Sequence, residues 1–128
     1  MIVGIGVDMV LINRFDRWRR RAGLLERYFH PRELDAAFSR GWESLASLAA
    51  RFAAKEAYGK ALGTGLAGLV LKDIMVLNRK NGKPELELFG TALEALRKSG
   101  ASRVHLSLTH ERDHALAMVV LEAEDHGF

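Results

Sequence analysis

The hydrophobic residues change their spacing along the chain, and these changes divide it into strand and helix segments. Residues 1–10 are almost continuously apolar, which is typical of a strand that is covered on both faces. Residues 42–62 carry apolar side chains at helical spacing and predict one long helix. Residues 73–78 and 84–89 return to strand character and flank an Asn-Gly pair, a strong hairpin signal.

Shorter elements fill the rest of the chain. The predicted helices among them span residues 13–23, 24–29, 30–39 and 91–100. A second hairpin joins residues 102–109 to residues 115–121. This order of strands and helices predicts a single α+β domain over residues 1–128, in which an antiparallel sheet packs around one long helix.

Composition sets limits on this picture. A chain of 128 residues with 27% charged and 48% hydrophobic residues is typical of a globular protein with a modest core. No apolar run reaches the ~18 residues of a membrane span, and no basic segment precedes the apolar start, so neither a membrane partner nor a signal peptide is expected. The absence of cysteine excludes disulfides and thiolate zinc sites and fits a cytoplasmic protein. The net charge of +3 and the pI of about 9.5 suggest an acidic partner.

Asp8 is the first candidate site residue. Strand alternation puts Gly4, Gly6 and Asp8 on one face of the first strand. The two glycines leave space on that face for a helix, or for a ligand that the carboxylate can reach. The alternative is that Asp8 simply ends the strand, because aspartate is disfavoured in strand interiors.

Glu56 and Lys60 lie on the apolar stripe of the long helix, Glu56 in its middle and Lys60 one turn later at its edge. A carboxylate on a buried face is costly unless it is paired or binds a metal. An ordinary salt bridge between Glu56 and Lys60 would meet this requirement without any function. The helix then runs into Gly63-Thr64-Gly65, whose glycines allow the backbone to approach a ligand closely.

One side of the predicted helix at residues 13–23 is rich in arginine. Arg14, Arg17 and Arg21 fall within about 60° of one another on a helical wheel, and we call them the arginine face. Arginine pairs with carboxylate or phosphate through two hydrogen bonds, which favours a docking surface for an acidic partner. Two alternatives remain: a solvated charged surface, or a non-catalytic basic module that binds an acidic protein or nucleic acid. The nucleic-acid alternative lacks the exposed aromatic residues of a single-strand platform and leaves the two carboxylates unexplained, so no nucleic-acid partner is expected.

Five short motifs together resemble a known family. They are Gly4-Ile-Gly-Val-Asp8, Arg51-Phe-Ala-Ala-Lys-Glu-Ala57 with Lys60, Gly63-Thr-Gly65, Asn81-Gly-Lys-Pro84 and His105-Leu-Ser-Leu-Thr-His110. In order and spacing they resemble the holo-[acyl-carrier-protein] synthase family, the small, single-unit type of 4'-phosphopantetheinyl transferase. The resemblance covers essentially the whole chain, and the pair formed by the early Gly-x-Asp strand and the Phe-Ala-Ala-Lys-Glu helix is its most specific part.

The resemblance implies an enzyme of fatty acid biosynthesis that moves the 4'-phosphopantetheine arm of coenzyme A onto a serine of apo acyl carrier protein. Adenosine 3',5'-bisphosphate would be released, and Mg2+ would be held by Asp8 and Glu56. Lys60 would neutralise charge on the pyrophosphate. The serine proton would pass to Glu56, Asp8 or a metal-bound water, and the sequence leaves these three open. The arginine face matches the helix that docks the acidic carrier protein.

The resemblance also implies coenzyme contacts that are spread along the chain. They are Arg51, Lys60, Gly63, Thr64, Gly65, Lys83, Pro84 and His105. His105 would meet the 3'-phosphate of the coenzyme, although a histidine on a strand is more commonly a structural hydrogen-bonding residue. Family members form homotrimers in which neighbours share the site, so a homotrimer is expected. The chain departs from the family just before the long helix, where basic residues are common but this chain has Trp42-Glu43-Ser44. Either Arg40 substitutes for them, or the phosphate of the coenzyme is held less tightly on that side.

Overall fold

A computed structural model describes residues 1–125. Its strands are β1 (Ile2–Leu11), β2 (Ile74–Asn78), β3 (Pro84–Leu88), β4 (Arg103–Glu111) and β5 (His114–Glu122). Its α-helices are α1 (Arg14–Trp18), α2 (Leu24–Tyr28), α3 (Pro31–Phe38), α4 (Ser44–Leu62) and α5 (Gly90–Ser99). Short 3-10 helices at Gly41–Glu43 and Leu71–Asp73 precede α4 and β2. This order confirms the predicted α+β fold.

The strands form two antiparallel sheets. The larger sheet has three strands in the order β1-β5-β4, and the hairpin of β2 and β3 forms a separate two-stranded sheet. Helix α4 packs across β1 and β5 of the larger sheet. The prediction of an antiparallel sheet around one long helix is therefore confirmed, with the sheet divided into two parts.

Helix α4 lies very close to β1 because two glycines of the strand face it. A Cβ atom at Gly4 would lie 2.0 Å from the carbonyl oxygen of Ala61, and one at Gly6 would lie 1.9 Å from that of Ala57. Any side chain at either position would push the helix away from the strand. The glycines thus make room for a helix, which is the first of the two uses expected for this face. Asp8 follows on the same face, where α4 crosses the strand.

The other face of β1 is open, so the expectation of a strand covered on both faces is wrong for the single chain. Ile5 is 55% exposed, Met9 is 60% exposed, and Met118 of β5 is 41% exposed. Val3 and Val7 belong to the same surface, and we call these five residues the apolar sheet face. Exposed apolar surface of this kind is typical of an interaction site. A continuous apolar run in the sequence of a strand does not show whether its second face is buried by the same chain or by another chain.

The helix predicted at residues 13–23 is shorter than expected. Helix α1 ends at Trp18, and the chain continues through turns to Gly23, the N-cap residue of α2, which has a φ of 77°. Packing fixes the first part, because the Trp18 ring lies 5.2 Å from the ring of Phe52 on α4. The arginines at positions 19–21 are exposed and bring no apolar contact that could extend the helix.

Helix α4 is buried on nearly all sides, whereas the sequence predicted only one apolar stripe along it. Lys55 of this helix forms a salt bridge of 2.7 Å with Glu33 of α3, and both side chains are completely buried. The Lys55 amine also donates to the carbonyl oxygens of Leu71, at 2.9 Å, and Ile74.

Although α4 has 19 residues, neither it nor any other helix within residues 1–125 combines the length and apolarity needed to cross a bilayer.

Candidate active site

Two carboxylates lie close together where α4 crosses β1. Burial raises the pKa of the Glu56 carboxyl, and the negative charge of Asp8 raises this pKa further. The positive charges of Lys60 and Arg14 act in the opposite direction and lower it. We call Asp8, Glu56 and Lys60 the carboxylate site. Arg14 connects this site to the arginine face, because its charge acts on Glu56.

Lys60 bonds to Asp8 rather than to Glu56. Its amine donates to Asp8 Oδ1 at 2.9 Å and to the carbonyl oxygen of Val7 at 3.2 Å. The hydrogen bond to Asp8 raises the pKa of Lys60. Within residues 1–125 no salt bridge joins Glu56 to Lys60, so the alternative of an ordinary pair along the helix is wrong. Glu56 thus keeps a half-buried carboxylate with no direct partner among the described side chains.

The carboxylate site suits a hard divalent cation. Asp8 Oδ2 is buried and has no hydrogen-bond partner among the described residues, although a buried polar atom normally has one. Mg2+ commonly takes one or two carboxylates and completes its shell with water and substrate phosphates. The described residues contain no cluster of three or more His, Cys, Asp or Glu side chains, so Asp8 and Glu56 would leave most positions of the shell to such ligands.

The glycine loop, residues 63–65, follows the carboxylate site directly. Gly63 ends α4 in the left-handed conformation, with a φ of 82°, and its N–H donates to the carbonyl oxygen of Lys60 at 3.0 Å. The N–H of Gly65 donates to the carbonyl oxygen of Gly59 at 3.0 Å, which folds the loop back against the helix. Thr64, at the tip, is exposed. The loop therefore presents exposed backbone about one turn beyond Lys60.

Other predicted coenzyme contacts lie around a cavity of about 180 Å3 between the start of α4, the β2–β3 hairpin and the end of β4. Its lining includes Arg40, Arg51, Asn78, Gly82, Pro84 and His110, and we call it the hairpin cavity. Lys83 lies beside it on the exposed turn of the hairpin. Two arginines and a histidine against one acid, Glu43, make the lining suitable for an anion. His110 ends one of the five motifs but was given no site role from the sequence, and only the fold brings it to this cavity.

The Arg51 side chain is anchored inside the protein. It donates from Nη1 to the carbonyl oxygen of Val76 at 2.6 Å, from Nη2 to Asn78 Oδ1 at 3.0 Å, and from Nε to Ser47 Oγ at 3.2 Å. Burial lowers the pKa of Arg51, while the charge of Glu33 raises it. The guanidinium group has five donors, so these bonds leave it the capacity to meet a further acceptor.

The carboxylate site and the hairpin cavity lie at opposite edges of the three-stranded sheet. The first adjoins β1, the second adjoins the end of β4, and β5 runs between these strands. His105 of β4 pairs in register with Val120 and, through it, with Ile5. Residues in register share a face of the sheet. The His105 side chain thus belongs to the face away from α4, and one chain does not bring it to Asp8.

His105 has a hydrogen-bonding partner in the same chain. Its Nε2 lies 3.0 Å from Glu122 Oε1, and this contact lowers the pKa of Glu122. The imidazole remains more than half exposed. His105 therefore makes a structural hydrogen bond, which is the alternative role that the sequence suggested for it. Because the ring is exposed, it can still make a further contact.

Arg14 and Arg17 of the arginine face lie in α1, whereas Arg21 lies beyond the end of this helix. Arg17 and Arg21 are exposed, and the Arg14 guanidinium lies 5.9 Å from the centre of the Trp18 ring. Asp16, which had no role in the sequence interpretation, forms salt bridges with the neighbouring Arg19 and Arg20 at 2.8 and 3.2 Å. Asp16 offsets those two charges. Within residues 1–125 the three residues of the arginine face have no salt bridge of their own.

Comparison with known proteins identifies the family. Residues 4–119 match the 4'-phosphopantetheinyl transferase superfamily. The chain belongs to this superfamily, and the family predicted from its motifs is confirmed.

Relatives within this superfamily are holo-[acyl-carrier-protein] synthases of similar length. The chain is 55% identical over 122 residues to the holo-[acyl-carrier-protein] synthase of Treponema denticola, a match that covers 95% of this chain and 99% of the relative. Its fold is similar to the crystal structure of the synthase from Neisseria meningitidis, with a TM-score of 0.84, 38% identity and coverage of 95% and 99% of the two chains. A similar synthase from Bacillus anthracis, solved in complex with CoA (3',5'-ADP), has a TM-score of 0.80 at 37% identity, with coverage of 97% and 99%.

Proposed function

We propose that the chain acts in the cytoplasm as a holo-[acyl-carrier-protein] synthase. It transfers 4'-phosphopantetheine from coenzyme A to a serine of apo acyl carrier protein and thereby serves fatty acid biosynthesis. The observation that carries this proposal is the 55% identity, over nearly the full length of both chains, to a synthase of that name. The carboxylate site and the hairpin cavity support it, because carboxylates suited to a divalent cation and a basic cavity lining are both features that favour binding of a diphosphate substrate.

The reaction is a phosphoryl transfer. The serine oxygen forms a bond to the phosphorus that bears the pantetheine arm, and the bond from this phosphorus to the bridging oxygen breaks. The electron pair of the broken bond leaves with adenosine 3',5'-bisphosphate, and the serine proton must be accepted. Asp8 and Glu56 supply carboxylates that can receive it. Most of the rate in such reactions comes from positioning and charge stabilisation.

Asp8 and Glu56 would hold Mg2+ in this enzyme. The bound ion would offset the negative charge that develops on the diphosphate. Two features of the side chains support the assignment: Asp8 Oδ2 lacks a hydrogen-bond partner among the described residues, and the charge of Asp8 raises the pKa of Glu56. Lys60 adds positive charge beside the two carboxylates, and the glycine loop offers exposed backbone to the substrate.

The function is tested by weighing the carrier. Apo acyl carrier protein is incubated with the chain, coenzyme A and Mg2+, and its mass is expected to rise by one phosphopantetheine group. A chelator is expected to prevent the gain, and added Mg2+ to restore it. A carrier that binds the chain but keeps its mass would contradict the proposal and favour the non-catalytic basic module.

The arginine face is the proposed docking surface for the acidic carrier. The double substitution Arg17→Glu with Arg21→Glu is expected to raise the KM for the carrier at least about tenfold and to leave the KM for coenzyme A nearly unchanged, because these exposed charges act through association. Arg14 is left unchanged in this variant, since its charge also acts on Glu56. Steady-state kinetics with each substrate varied in turn measures the two KM values.

A matched control separates docking from general charge. Lys72→Glu with Arg97→Glu makes the same change in net charge at exposed positions on other elements, and it should leave both KM values unchanged. Equal effects of the two double substitutions, or no effect of the first, would make the arginine face a solvated surface.

The active site is proposed to form between neighbouring chains of a homotrimer. The carboxylate site and the hairpin cavity adjoin opposite edges of the sheet, with α4 packed across β1 and β5 between them. A cyclic, head-to-tail assembly brings one edge of each chain against the other edge of its neighbour and closes into a ring. In that arrangement the apolar sheet face would be covered, and His105 would serve the site of an adjoining chain.

Ile5→Arg is expected to break this assembly. The substitution introduces a charge into the apolar sheet face, where burial without a partner is unfavourable. Light scattering should give about three times the 14.2 kDa chain mass for the unmodified protein and a smaller mass for the variant, with most transfer activity lost. Val70→Arg is the control, since Val70 is also an exposed apolar residue but lies outside the sheets. A monomeric unmodified protein with full activity would contradict the shared site.

A further inference from the structure

Asn78 connects the core of the protein to the turn of the β2–β3 hairpin. Its Oδ1 accepts a hydrogen bond from Arg51 Nη2 at 3.0 Å, and its Nδ2 donates to the carbonyl oxygen of Gly82 at 3.2 Å. Gly82 belongs to residues 79–83, which we call the hairpin loop. One side-chain amide thus links α4 to the loop, across the wall of the hairpin cavity.

The inner end of this link is rigid. The Arg51 side chain is 3% exposed and is also fixed by its bond of 2.6 Å to the carbonyl oxygen of Val76. A guanidinium group only donates hydrogen bonds, so the carbonyl oxygen of the Asn78 amide must face it. The amide nitrogen then faces Gly82, whose carbonyl oxygen can only accept. Arg51 therefore determines which way the Asn78 amide points.

The outer end of the link is a loop that is closed by its own bonds. The N–H of Arg79 donates to the carbonyl oxygen of Lys83 at 2.9 Å, and that of Gly82 donates to the carbonyl oxygen of Arg79 at 2.8 Å. These bonds define the shape of the loop but do not fix it against α4. The bond from Asn78 adds that connection, and Gly82 and Pro84 are the parts of the hairpin that line the cavity.

We propose that Asn78 is a positioning residue for coenzyme binding. It holds the hairpin loop so that Gly82 and Pro84 keep their places in the cavity wall, opposite Arg51. This inference rests on the proposed function, because it takes the hairpin cavity as the place where the coenzyme is bound. In the same account Arg51 acts on the coenzyme partly through Asn78 and the loop, in addition to any contact of its own.

Asn78→Asp cuts the link at one defined bond. The carboxylate still accepts from Arg51 but has no hydrogen to donate to Gly82. We expect faster hydrogen exchange of the amides in the hairpin loop of the free protein. We also expect about tenfold weaker binding of 3',5'-ADP and a similar rise in the KM for coenzyme A, on the scale of one lost hydrogen bond. The carrier KM and kcat should stay nearly unchanged.

The melting temperature separates positioning from a structural role. An aspartate beside the buried Arg51 supplies an opposite charge that offsets the cost of burying the guanidinium group, so Asn78→Asp should melt at the same temperature as the unmodified protein or higher. A residue with only a structural role would lose stability and affect both substrates together. Weaker nucleotide binding in a protein that is no less stable is the expected signature.

Two further variants deal with the added charge. Asn78→Leu removes the link without a charge, and it should give the same faster loop exchange and weaker 3',5'-ADP binding, which excludes simple repulsion of the nucleotide. Asn13→Asp makes the same chemical change at an exposed asparagine whose side chain makes no capping hydrogen bond. It should change neither loop exchange nor 3',5'-ADP affinity.

The outcomes test this proposal and the proposed function separately. Normal loop exchange and normal 3',5'-ADP affinity in both Asn78 variants would overturn the role of Asn78 and leave the function intact. Failure of the unmodified protein to bind 3',5'-ADP would overturn the proposed function. In that case faster loop exchange in Asn78→Asp would show only a restrained loop, and the positioning role would be rejected as well.

Discussion

Glu56→Gln is expected to remove nearly all phosphopantetheine transfer from a protein that remains folded. The amide keeps the size of the side chain but loses the negative charge that would hold Mg2+ next to Asp8. Loss of such an electrostatic contribution is worth several kcal/mol, so we expect kcat to fall by at least about 100-fold. Asp8→Asn should have a similar effect. Turnover at saturating substrates, measured from the mass of the carrier, provides the test.

The stability of Glu56→Gln gives a second and independent result. Burial and the charge of Asp8 raise the pKa of Glu56 above its ordinary value of 4.5, so the folded protein disfavours the ionised form. This penalty is absent at a pH below the unfolded pKa, and it grows as the pH rises through the folded pKa. In chelator at neutral pH the variant should therefore melt at a higher temperature than the unmodified protein. The difference should vanish in acid.

Glu94→Gln is the matched control, because Glu94 is exposed on α5, away from the carboxylate site. It should change neither turnover nor melting temperature. Asp8→Asn differs from Glu56→Gln in stability, since it also removes the half-exposed salt bridge to Lys60, which is worth no more than about 1 kcal/mol. A folded Glu56→Gln protein with near-normal turnover would contradict the metal assignment.

The sequence could predict the position of the carboxylate site because local rules decide it. Strand alternation puts Asp8 on the face of Gly4 and Gly6, and helical spacing puts Glu56 on the apolar side of α4. Once the helix packs on the glycine face, the two carboxylates must approach each other. The partner of Lys60 could not be predicted in this way, because a neighbour one turn away and a strand residue from elsewhere in the chain are equally compatible with its spacing.

The role of the apolar sheet face could not be predicted, because the hydrophobic pattern of a sequence does not show whether another chain covers a strand. Val7 and Met9 alternate with Asp8 as core residues would, yet they lie on the side away from α4. The direction of His105 follows from the same register, since it shares this side with Ile5. Neither the alternation nor the histidine indicates whether a neighbouring chain completes the environment. The expectation of a shared active site therefore rests on the family resemblance and has no basis in residue spacing.

The buried salt bridge of Lys55 could not be predicted from the sequence for a different reason. Lys55 adjoins Glu56 in a motif, and its spacing suggests nothing more than a charged position on a helix. Its hydrogen-bond acceptors come from two segments that are distant from α4 in the sequence: Glu33 of α3, and the carbonyl oxygens of Leu71 and Ile74 around the start of β2. Glu33 in turn accepts from the N–H of Val76 at 3.1 Å. Only the tertiary fold brings these groups together around one amine.

Lys55→Met is therefore expected to cause a large loss of stability. The substitution keeps most of the apolar stem but leaves Glu33 as a buried charge without its cation, which commonly costs about 3–5 kcal/mol. This is a large part of the total stability of a domain of this size, which is about 5–15 kcal/mol. Urea unfolding followed by circular dichroism measures the change. Lys60→Met is the matched control on the same helix, and its half-exposed salt bridge predicts a loss of no more than about 1 kcal/mol.

The double substitution Lys55→Met with Glu33→Leu identifies the cause. If the loss in Lys55→Met comes from an unpaired buried charge, removing that charge should restore part of the stability, because an apolar pair of similar volume often replaces a buried ion pair without loss. Recovery should be incomplete, since Glu33 also accepts hydrogen bonds from the N–H groups of His30 and Val76. A double variant that is less stable than Lys55→Met would mean that Glu33 stabilises the fold mainly through these backbone bonds. Equal losses in Lys55→Met and Lys60→Met would show that burial of the Lys55 pair has little energetic consequence.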